Sequence, residues 1–144
     1  MKIIFPGTFD PFTLGHKNIV DRALALGYDV IVAVGVNVGK KTMFSVEERV
    51  RRIREVYAGN PHVTVTHYEG LTTDFARQQG ANAILRGIRT VQDFEYERSL
   101  ADINLQISGI DTLFLITEPK FSAISSSVVR ELLNYGKDIT AFIP

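Results

Sequence analysis

The feature that most constrains the fold of this chain is the segment VIVAVGV at residues 30–36, which is apolar throughout and rich in β-branched residues. A strand with one face in water alternates apolar and polar side chains, and this segment does not. It is typical of a strand that is buried on both faces, as in parallel sheets whose crossover helices cover both sides. The segment therefore predicts a buried strand of a parallel sheet.

Four more short apolar runs alternate with segments of helical period along the 144 residues. The predicted strands besides 30–36 are residues 2–5, 63–67, 83–85 and 112–117. The predicted helices are residues 15–26, 45–57, 72–79, 91–108 and 127–135. This alternation predicts one α/β domain, residues 1–144, with a five-stranded parallel sheet, helices on both faces and right-handed crossovers.

The second predicted helix begins with the sequence SVEE at 45–48, which is typical of a capping box. In that arrangement Ser45 caps the helix and the side chain of Glu48 reaches back to its start. The helix then turns Val46, Val50 and Ile53 toward the core. Its four arginines are interpreted as helix surface or as a subunit contact, and not as part of a site: Arg49, Arg51, Arg52 and Arg54.

Composition excludes several classes of protein. Lys+Arg and Asp+Glu both number 16, so the net charge is zero and gives no reason to expect nucleic acid or an anionic membrane as a partner. The absence of cysteine excludes disulfide scaffolds, thiolate zinc sites and cysteine nucleophiles. No apolar run approaches the ~20 residues of a membrane-spanning helix and no signal peptide precedes the first strand, so we expect a cytoplasmic location.

Polar residues gather where the predicted strands end. The segments that follow the first, second, fourth and fifth strands are residues 6–16, 39–44, 86–89 and 121–127. Ligands bind at the carboxyl ends of parallel strands, which meet at one edge of the sheet, so we expect these segments to lie close together. Three of them carry cationic or serine-rich groups suited to phosphate oxygens. The sequence therefore predicts an anion pocket in a protein of zero net charge.

The first of these segments favours a nucleotide ligand. Gly7 permits a sharp turn or a close ligand, and Gly15 leaves room for a base or a phosphate. Thr13 and His16 lie on one face at a helix start, where free N–H groups and the helix dipole attract anions. His16, neutral or protonated, can donate a hydrogen bond to a phosphoryl oxygen. The alternative is that Thr13 caps the helix and His16 is a surface residue.

Cationic side chains follow two other strands. Either Lys40 or Lys41 can reach over the pocket from a mobile loop, and the alternative is that the two lysines form a solvated pair. Arg86 lies near a buried strand end and needs a partner, and a phosphate would satisfy its guanidinium bidentately. The alternative for Arg86 is a salt bridge to Asp93 or Glu97.

Three serines, Ser125, Ser126 and Ser127, precede the last predicted helix. One of them is needed as the N-cap, and the other two are free to offer hydroxyl and N–H groups to an anion. The segment therefore indicates a second phosphate site at a helix terminus. It is not sufficient evidence for that site, because capping alone also explains one or two of the serines.

These motifs, in this order, resemble those of bacterial phosphopantetheine adenylyltransferases, which belong to the nucleotidylyltransferase superfamily. The resemblance covers essentially the whole chain and rests on six segments: PGTFDP at 6–11, TLGH at 13–16, KKTMF at 40–44, RGIR at 86–89, FEYE at 94–97 and ISSSVVR at 124–130. The TLGH and ISSS elements are similar to those of the whole superfamily, whereas KKTMF, RGIR and FEYE narrow the resemblance to this family.

The resemblance implies a Rossmann-like fold and transfer of AMP from ATP to 4′-phosphopantetheine, with dephospho-coenzyme A and pyrophosphate as products. It also implies Mg²⁺ bound with the ATP, a homohexamer, and coenzyme A as a candidate inhibitor. It assigns no protein residue to a metal. The residues it assigns to ATP are Thr8, Phe9, His16, Gly87, Ile88, Arg89, Glu97, Phe121, Ser122, Ala123, Ile124, Ser125, Ser126 and Ser127. The residues it assigns to the acceptor are Thr8, Lys40, Thr72 and Arg86.

The reaction that the resemblance implies needs little acid–base catalysis by protein side chains. The acceptor phosphate is already an anion, so the protein has to align it and stabilise charge during in-line displacement, with no covalent intermediate on the protein. His16, Lys40 and Thr8 are the candidates to hold that charge. The rival hypotheses are a sister transferase for nicotinamide mononucleotide or for CTP and an alcohol phosphate, and a non-catalytic nucleotide-binding module.

Overall fold

A computed structural model describes all residues from Met1 to Pro144 and contains five strands and five α-helices. The strands are β1 (Lys2–Gly7), β2 (Asp29–Gly35), β3 (Val63–Tyr68), β4 (Ala83–Ile88) and β5 (Asp111–Ile116). The helices are α1 (Leu14–Ala25), α2 (Val46–Val56), α3 (Thr72–Gln78), α4 (Val91–Ser108) and α5 (Ser126–Asn134), and a 3₁₀ turn at Pro119–Phe121 follows β5. Every predicted strand and helix is confirmed, and the boundaries shift by at most two residues except at the end of β4.

All four strand pairings are parallel, and the strand order is β3-β2-β1-β4-β5. The chain runs outward from β1 through β2 to β3, and then crosses to the other side of β1 for β4 and β5. The direction of winding changes between β1 and β4, which opens a crevice at the carboxyl ends of these two strands. The predicted α/β fold is confirmed and is Rossmann-like.

Strand β2 is covered on both faces, as its sequence predicts. Val30, Val32 and Val34 pack on one face in the larger core cluster, together with residues of α1 and α2. Ile31 and Ala33 pack on the other face in a second cluster with α3. Two cores therefore hold this strand in place, and with it the start of the loop that carries Lys40.

Strand β4 continues three residues further than predicted. Arg86, Gly87 and Ile88 pair in parallel register with the last three residues of β5. These partners come from a distant part of the chain, so the local sequence does not reveal them. As a consequence, the side chain of Arg86 leaves from a rigid strand and not from a loop.

Helix α2 differs from its prediction in two places. Ser45 accepts a hydrogen bond from the N–H of Glu48 at 3.2 Å, but the Glu48 side chain does not complete a capping box. It pairs instead with Arg52 at 3.2 Å, one turn along the helix. Arg49, predicted on the surface, is 4% exposed. Its burial is possible because three backbone carbonyls accept hydrogen bonds from its guanidinium.

Helix α4 packs against β4, β5 and α3 and leaves much of its apolar surface in water. Glu97 is its one buried residue, whereas Tyr96 is 66% and Ile103 53% exposed. None of the helices combines the length and the apolar character that crossing a membrane requires.

Candidate active site

A cavity of about 340 Å³ opens at the carboxyl ends of β1 and β4, in the crevice between them. Its walls include residues that follow β1, β2, β4 and β5. The predicted site residues that line it are Thr8, Phe9, His16, Lys40, Arg86, Gly87, Arg89, Glu97, Ile124, Ser125, Ser126 and Ser127. The structure thus brings together, around one cavity, groups that are distant along the chain.

Five predicted site residues lie outside this cavity. Ile88 is buried in β4, with its side chain in the core. Thr72 begins α3, and its hydroxyl hydrogen-bonds with that of Tyr68 at 2.7 Å. The other three belong to the 3₁₀ turn after β5 and to the two residues that follow it: Phe121, Ser122 and Ala123.

His16 is held by the helix whose start it helps to form. The hydroxyl of Thr13, the N-cap of α1, accepts a hydrogen bond from the N–H of His16 at 3.4 Å. In return, His16 Nδ1 accepts the N–H of Thr13 at 3.0 Å, which completes a capping box. Because Nδ1 is an acceptor, the proton of the neutral ring is on Nε2. The rings of Phe9 and Phe12 contact the imidazole, with centroid distances of 5.0 and 5.4 Å.

Burial and two nearby arginines decide the charge of His16. Burial is the main cause that lowers its pKa to about 3, and the positive charges of Arg86 and Arg89 lower it further. Of the two forms that the sequence allowed, the neutral one is therefore present at neutral pH. A neutral imidazole with its proton on Nε2 is a hydrogen-bond donor at that atom and cannot act there as a base.

Lys40 and Thr8 meet at the other side of the cavity. Lys40 lies on the exposed loop between β2 and α2, and its Nζ is 3.4 Å from Thr8 Oγ1. Gly7 has no room for a side chain, because a Cβ there would lie 2.8 Å from the ring of Phe9. Phe9 has a φ of 52°, which a bulky residue adopts only when surrounding contacts enforce it. The loop after β1 is therefore fixed by packing, and it presents Thr8 to Lys40.

Arg86 and Glu97 form a bidentate ion pair between β4 and α4. Nε of Arg86 donates to Glu97 Oε2 at 2.8 Å, Nη2 donates to Oε1, and Nη1 donates to the carbonyl of Pro6 at 2.8 Å. Of the alternatives for Arg86, the salt bridge to Glu97 is observed, while Asp93 pairs with Arg89 at 3.7 Å. The fork predicted to receive a phosphate is thus occupied by a carboxylate, although further guanidinium N–H groups remain for a ligand oxygen.

The three serines at the start of α5 have their hydroxyls engaged with the protein. Ser125 is the N-cap and accepts a backbone N–H of the first turn at 3.2 Å. Ser126 donates to the carbonyl of Pro11 at 2.8 Å, and Ser127 accepts from Arg130 at 3.2 Å. The prediction that two hydroxyls are free is wrong for Ser126, whose only proton is used. What α5 offers an anion is mainly the free N–H groups of its first turn.

Known proteins are similar to this chain in sequence over nearly its whole length. The cytidylyltransferase-like family profile matches residues 4–132 of the 144. The phosphopantetheine adenylyltransferase of Bacteroides thetaiotaomicron is 53% identical over 143 residues, which is 99% of this chain and 95% of the relative. Those of Phocaeicola vulgatus, at 53%, and Flavobacterium psychrophilum, at 48%, match over the same shares. The chain belongs to the phosphopantetheine adenylyltransferase family.

Membership of the phosphopantetheine adenylyltransferase family confirms the resemblance found in the sequence motifs. The chain is an enzyme of the nucleotidyltransferase class, so the hypothesis of a non-catalytic nucleotide-binding module is set aside. The phosphopantetheine adenylyltransferase relatives match nearly the full chain. The region that matches the cytidylyltransferase-like family profile includes every residue that lines the cavity.

The acidic residues of the adenylyltransferase cavity are engaged with the protein. Asp10 accepts two backbone N–H groups, Asp93 accepts the N–H of Thr90, and Glu97 pairs with Arg86. No three His, Asp or Glu side chains lie close enough together to hold a metal ion. The residues around the cavity therefore form no cluster of metal ligands among themselves.

In this adenylyltransferase, His16 is expected to stay neutral from about pH 8 down to about pH 5. Long-range ¹H–¹⁵N correlation spectra should show one protonated nitrogen, Nε2, without a titration step in that range. Unfolded His16 binds a proton near pH ~6.5, whereas the folded residue does so only at about 3. The residue therefore contributes its full stability above pH ~6.5 and loses it as the pH falls toward about 3. A titration midpoint above about pH 5 would contradict the assignment.

Sequence reasoning missed three buried or half-buried polar groups of this family member. Asp10, 3% exposed, is the only acidic residue among the first 20, which is the signal that could have identified it. Arg49 follows Val46 by three residues and precedes Ile53 by four, so helical spacing places it on the apolar face of α2. Arg130, the last residue of the ISSSVVR segment, donates to the carbonyl of Asp10 at 2.8 Å, and the sequence does not reveal this backbone partner.

Proposed function

We propose that this enzyme transfers the adenylyl group of ATP, reversibly, to the terminal phosphate of 4′-phosphopantetheine and forms dephospho-coenzyme A and pyrophosphate. The observation that carries the proposal is the convergence of His16, Lys40 and Arg86 with the start of α5 on one cavity. The shared name of the relatives, phosphopantetheine adenylyltransferase, supports this choice of acceptor and nucleotide.

The transfer is a direct displacement at the α-phosphorus of ATP. An oxygen of the acceptor phosphate attacks in line, the bond from the α-phosphorus to the bridging oxygen breaks, and pyrophosphate leaves with the electron pair. The attacking oxygen is already anionic and needs no base, which agrees with a proton already present on His16 Nε2. That N–H instead donates to an oxygen of the α-phosphate, where charge accumulates in the transition state.

Cationic groups hold the two phosphates together. Lys40, whose Nζ lies 3.4 Å from the Thr8 hydroxyl, is proposed to bridge the acceptor phosphate and the α-phosphate from a loop that can close over them. The remaining N–H groups of Arg86 bind the acceptor phosphate from the rigid strand β4. For Thr72, whose hydroxyl is bonded to that of Tyr68, a role in acceptor binding rests on the resemblance alone.

The nucleotide is proposed to lie against α1, β4 and the start of α5. The free N–H groups and the dipole of α5 bind the leaving phosphates. Gly15 lines the cavity on this side without a side chain, which leaves space for the nucleotide. Mg²⁺, bound as MgATP, supplies neutralising charge on the leaving pyrophosphate. The remaining ATP contacts are proposed from the resemblance: Phe9, Gly87, Ile88, Arg89, Glu97, Ser122 and Ala123.

The exposed apolar surface of α4 supports a homo-oligomer, for which the resemblance implies a hexamer. Tyr96, Ile103 and Ile107 are each more than half exposed, and a second copy of the chain would cover them. Inhibition by coenzyme A, which carries the same adenylate and pantetheine groups as the product, and a cytoplasmic location also stay predictions.

Pyrophosphate release is the direct test of this function. We expect the purified enzyme with MgATP to release pyrophosphate only when 4′-phosphopantetheine is added. Nicotinamide mononucleotide or glycerol phosphate as the acceptor, and CTP as the nucleotide, serve as matched alternatives. Turnover with one of these and none with ATP and 4′-phosphopantetheine would assign the chain to a sister reaction. ATP binding without turnover on any acceptor would contradict the proposal as a whole.

A further inference from the structure

The loop at residues 36–45 carries Lys40 and connects β2 to α2. We refer to it as the Lys40 loop. Its central residues, from 37 to 41, are exposed, so they have few contacts that could fix the position of the ammonium group. Hydrogen bonds nevertheless fix the chain at or beside both ends of the loop, at residues 35, 43 and 44. Two buried charged side chains outside the proposed chemistry, Asp10 and Arg49, make those contacts.

Asp10 binds the far end of the Lys40 loop. Its Oδ2 accepts the N–H of Met43 at 2.8 Å, and its Oδ1 accepts the N–H of Phe44 at 2.9 Å. Hydrogen bonds from backbone N–H groups to a buried carboxylate are charge-assisted and roughly twice as strong as neutral ones. Since both oxygens are used, the loop cannot slide along the carboxylate without breaking a bond.

Arg49 joins both ends of the loop to the segment that carries Thr8. Its Nη1 donates to the carbonyls of Thr8 at 2.7 Å and of Gly35 at 3.2 Å, and its Nε donates to the carbonyl of Phe44 at 3.1 Å. Gly35 immediately precedes the loop, and Phe44 lies near its end. One guanidinium therefore sets the separation of the loop ends and the position of Thr8, the residue that Lys40 contacts.

We propose that Asp10 and Arg49 are positioning residues that place Lys40 beside Thr8 for the transfer step. Neither touches the reacting atoms. Their hydrogen-bond partners are backbone groups, so they act by fixing the two ends of a loop whose exposed middle could otherwise carry Lys40 out of reach. Asp10 Oδ2 also lies 4.0 Å from Nη1 of Arg130, outside the loop. A displacement of a reacting group by about 1 Å can lower a rate by up to ~10²-fold. The inference rests on the charge-stabilising role proposed above for Lys40.

A double-mutant cycle separates positioning of Lys40 from general support of the fold. Asp10→Asn keeps the shape of the side chain but cannot accept both N–H groups. We expect it to lower kcat by roughly 10–10²-fold, with a smaller change in the KM for ATP. In the Lys40→Ala background the same substitution should change kcat by less than about twofold, the scatter of independent effects. Equal losses in both backgrounds would overturn the proposal.

Arg49→Lys allows a second, independent double-mutant cycle with Lys40→Ala. It keeps the charge but loses the planar fork, so it should also lower kcat when Lys40 is present and have little effect when Lys40 is alanine. Arg51→Gln is the matched control, because this neighbour on α2 is exposed and pairs with Glu55. All variants are compared at a temperature at which circular dichroism shows them folded.

The cycle also distinguishes the inference from the function on which it rests. Full kcat in Lys40→Ala would remove Lys40 from the chemistry, and the positioning role of Asp10 and Arg49 would fail with it. A large loss in Lys40→Ala, followed by a further equal loss on adding Asp10→Asn or Arg49→Lys, would leave the function intact and reject positioning alone.

Discussion

Replacement of His16 by alanine is expected to lower kcat by roughly 10²–10³-fold, with a much smaller change in the KM for ATP. In the proposed mechanism the neutral Nε2–H of His16 donates to charge that develops in the transition state, and loss of one such preorganised donor has about this effect. Steady-state pyrophosphate release at saturating acceptor, with ATP varied, measures both constants.

His62→Ala is the matched control for this prediction. His62 is exposed and lies away from the cavity, where its Nδ1 pairs with Asp29 at 2.7 Å. It should keep kcat and KM. Loss of the capping box in His16→Ala is expected to lower stability by about 1 kcal/mol, so activity is compared well below the unfolding transition. An unchanged kcat in folded His16→Ala would reject the transition-state role.

Arg86→Ala is expected to lower the free energy of unfolding by about 3 kcal/mol and to raise the KM for 4′-phosphopantetheine more than that for ATP. The substitution leaves Glu97, which is 8% exposed, without its partner. An unpaired buried carboxylate is costly, and the expected loss lies at the lower end of the usual range because Arg86 keeps 31% of its side chain exposed. The melting temperature should fall by roughly 10 °C.

A double variant separates the two effects of Arg86. Arg86→Met combined with Glu97→Met removes both charges, so the melting temperature should return close to that of the unchanged protein. The affinity for 4′-phosphopantetheine should not return, because no guanidinium remains. Recovery of the acceptor KM in the double variant would remove Arg86 from the acceptor site. An unchanged melting temperature in Arg86→Ala would show that the ion pair does not stabilise the fold.

The sheet could be predicted from the sequence because a short apolar run marks the position of each strand. In β2, Val30, Val32 and Val34 face one core and Ile31 and Ala33 the other, so both faces are visible in a single apolar run. The meeting of His16, Lys40 and Arg86 also followed from the sequence, because the topology of a parallel sheet sends the ends of its strands to the same edge.

Partners of buried charges could not be predicted in the same way. The sequence indicated both Asp93 and Glu97 as ion-pair partners for Arg86. Only the packing of α4 on β4 determines that the partner is Glu97. Arg49 has backbone carbonyls as its partners, and such groups occur at every residue. A pattern of side-chain types therefore cannot mark them, although helical spacing does mark the position of Arg49 as buried.

The reciprocal hydrogen bonds between Thr13 and His16 couple the orientation of the His16 ring to the first turn of α1, so neither is maintained without the other. Protonation of Nδ1 would set two hydrogens face to face, so acid would break the bond that orients the Nε2–H donor and would loosen α1 at the same moment. A substitute such as lysine could supply an N–H at position 16, yet it would have no lone pair for the Thr13 amide. Histidine therefore has few replacements here, since few side chains accept at one ring edge and donate at the opposite one.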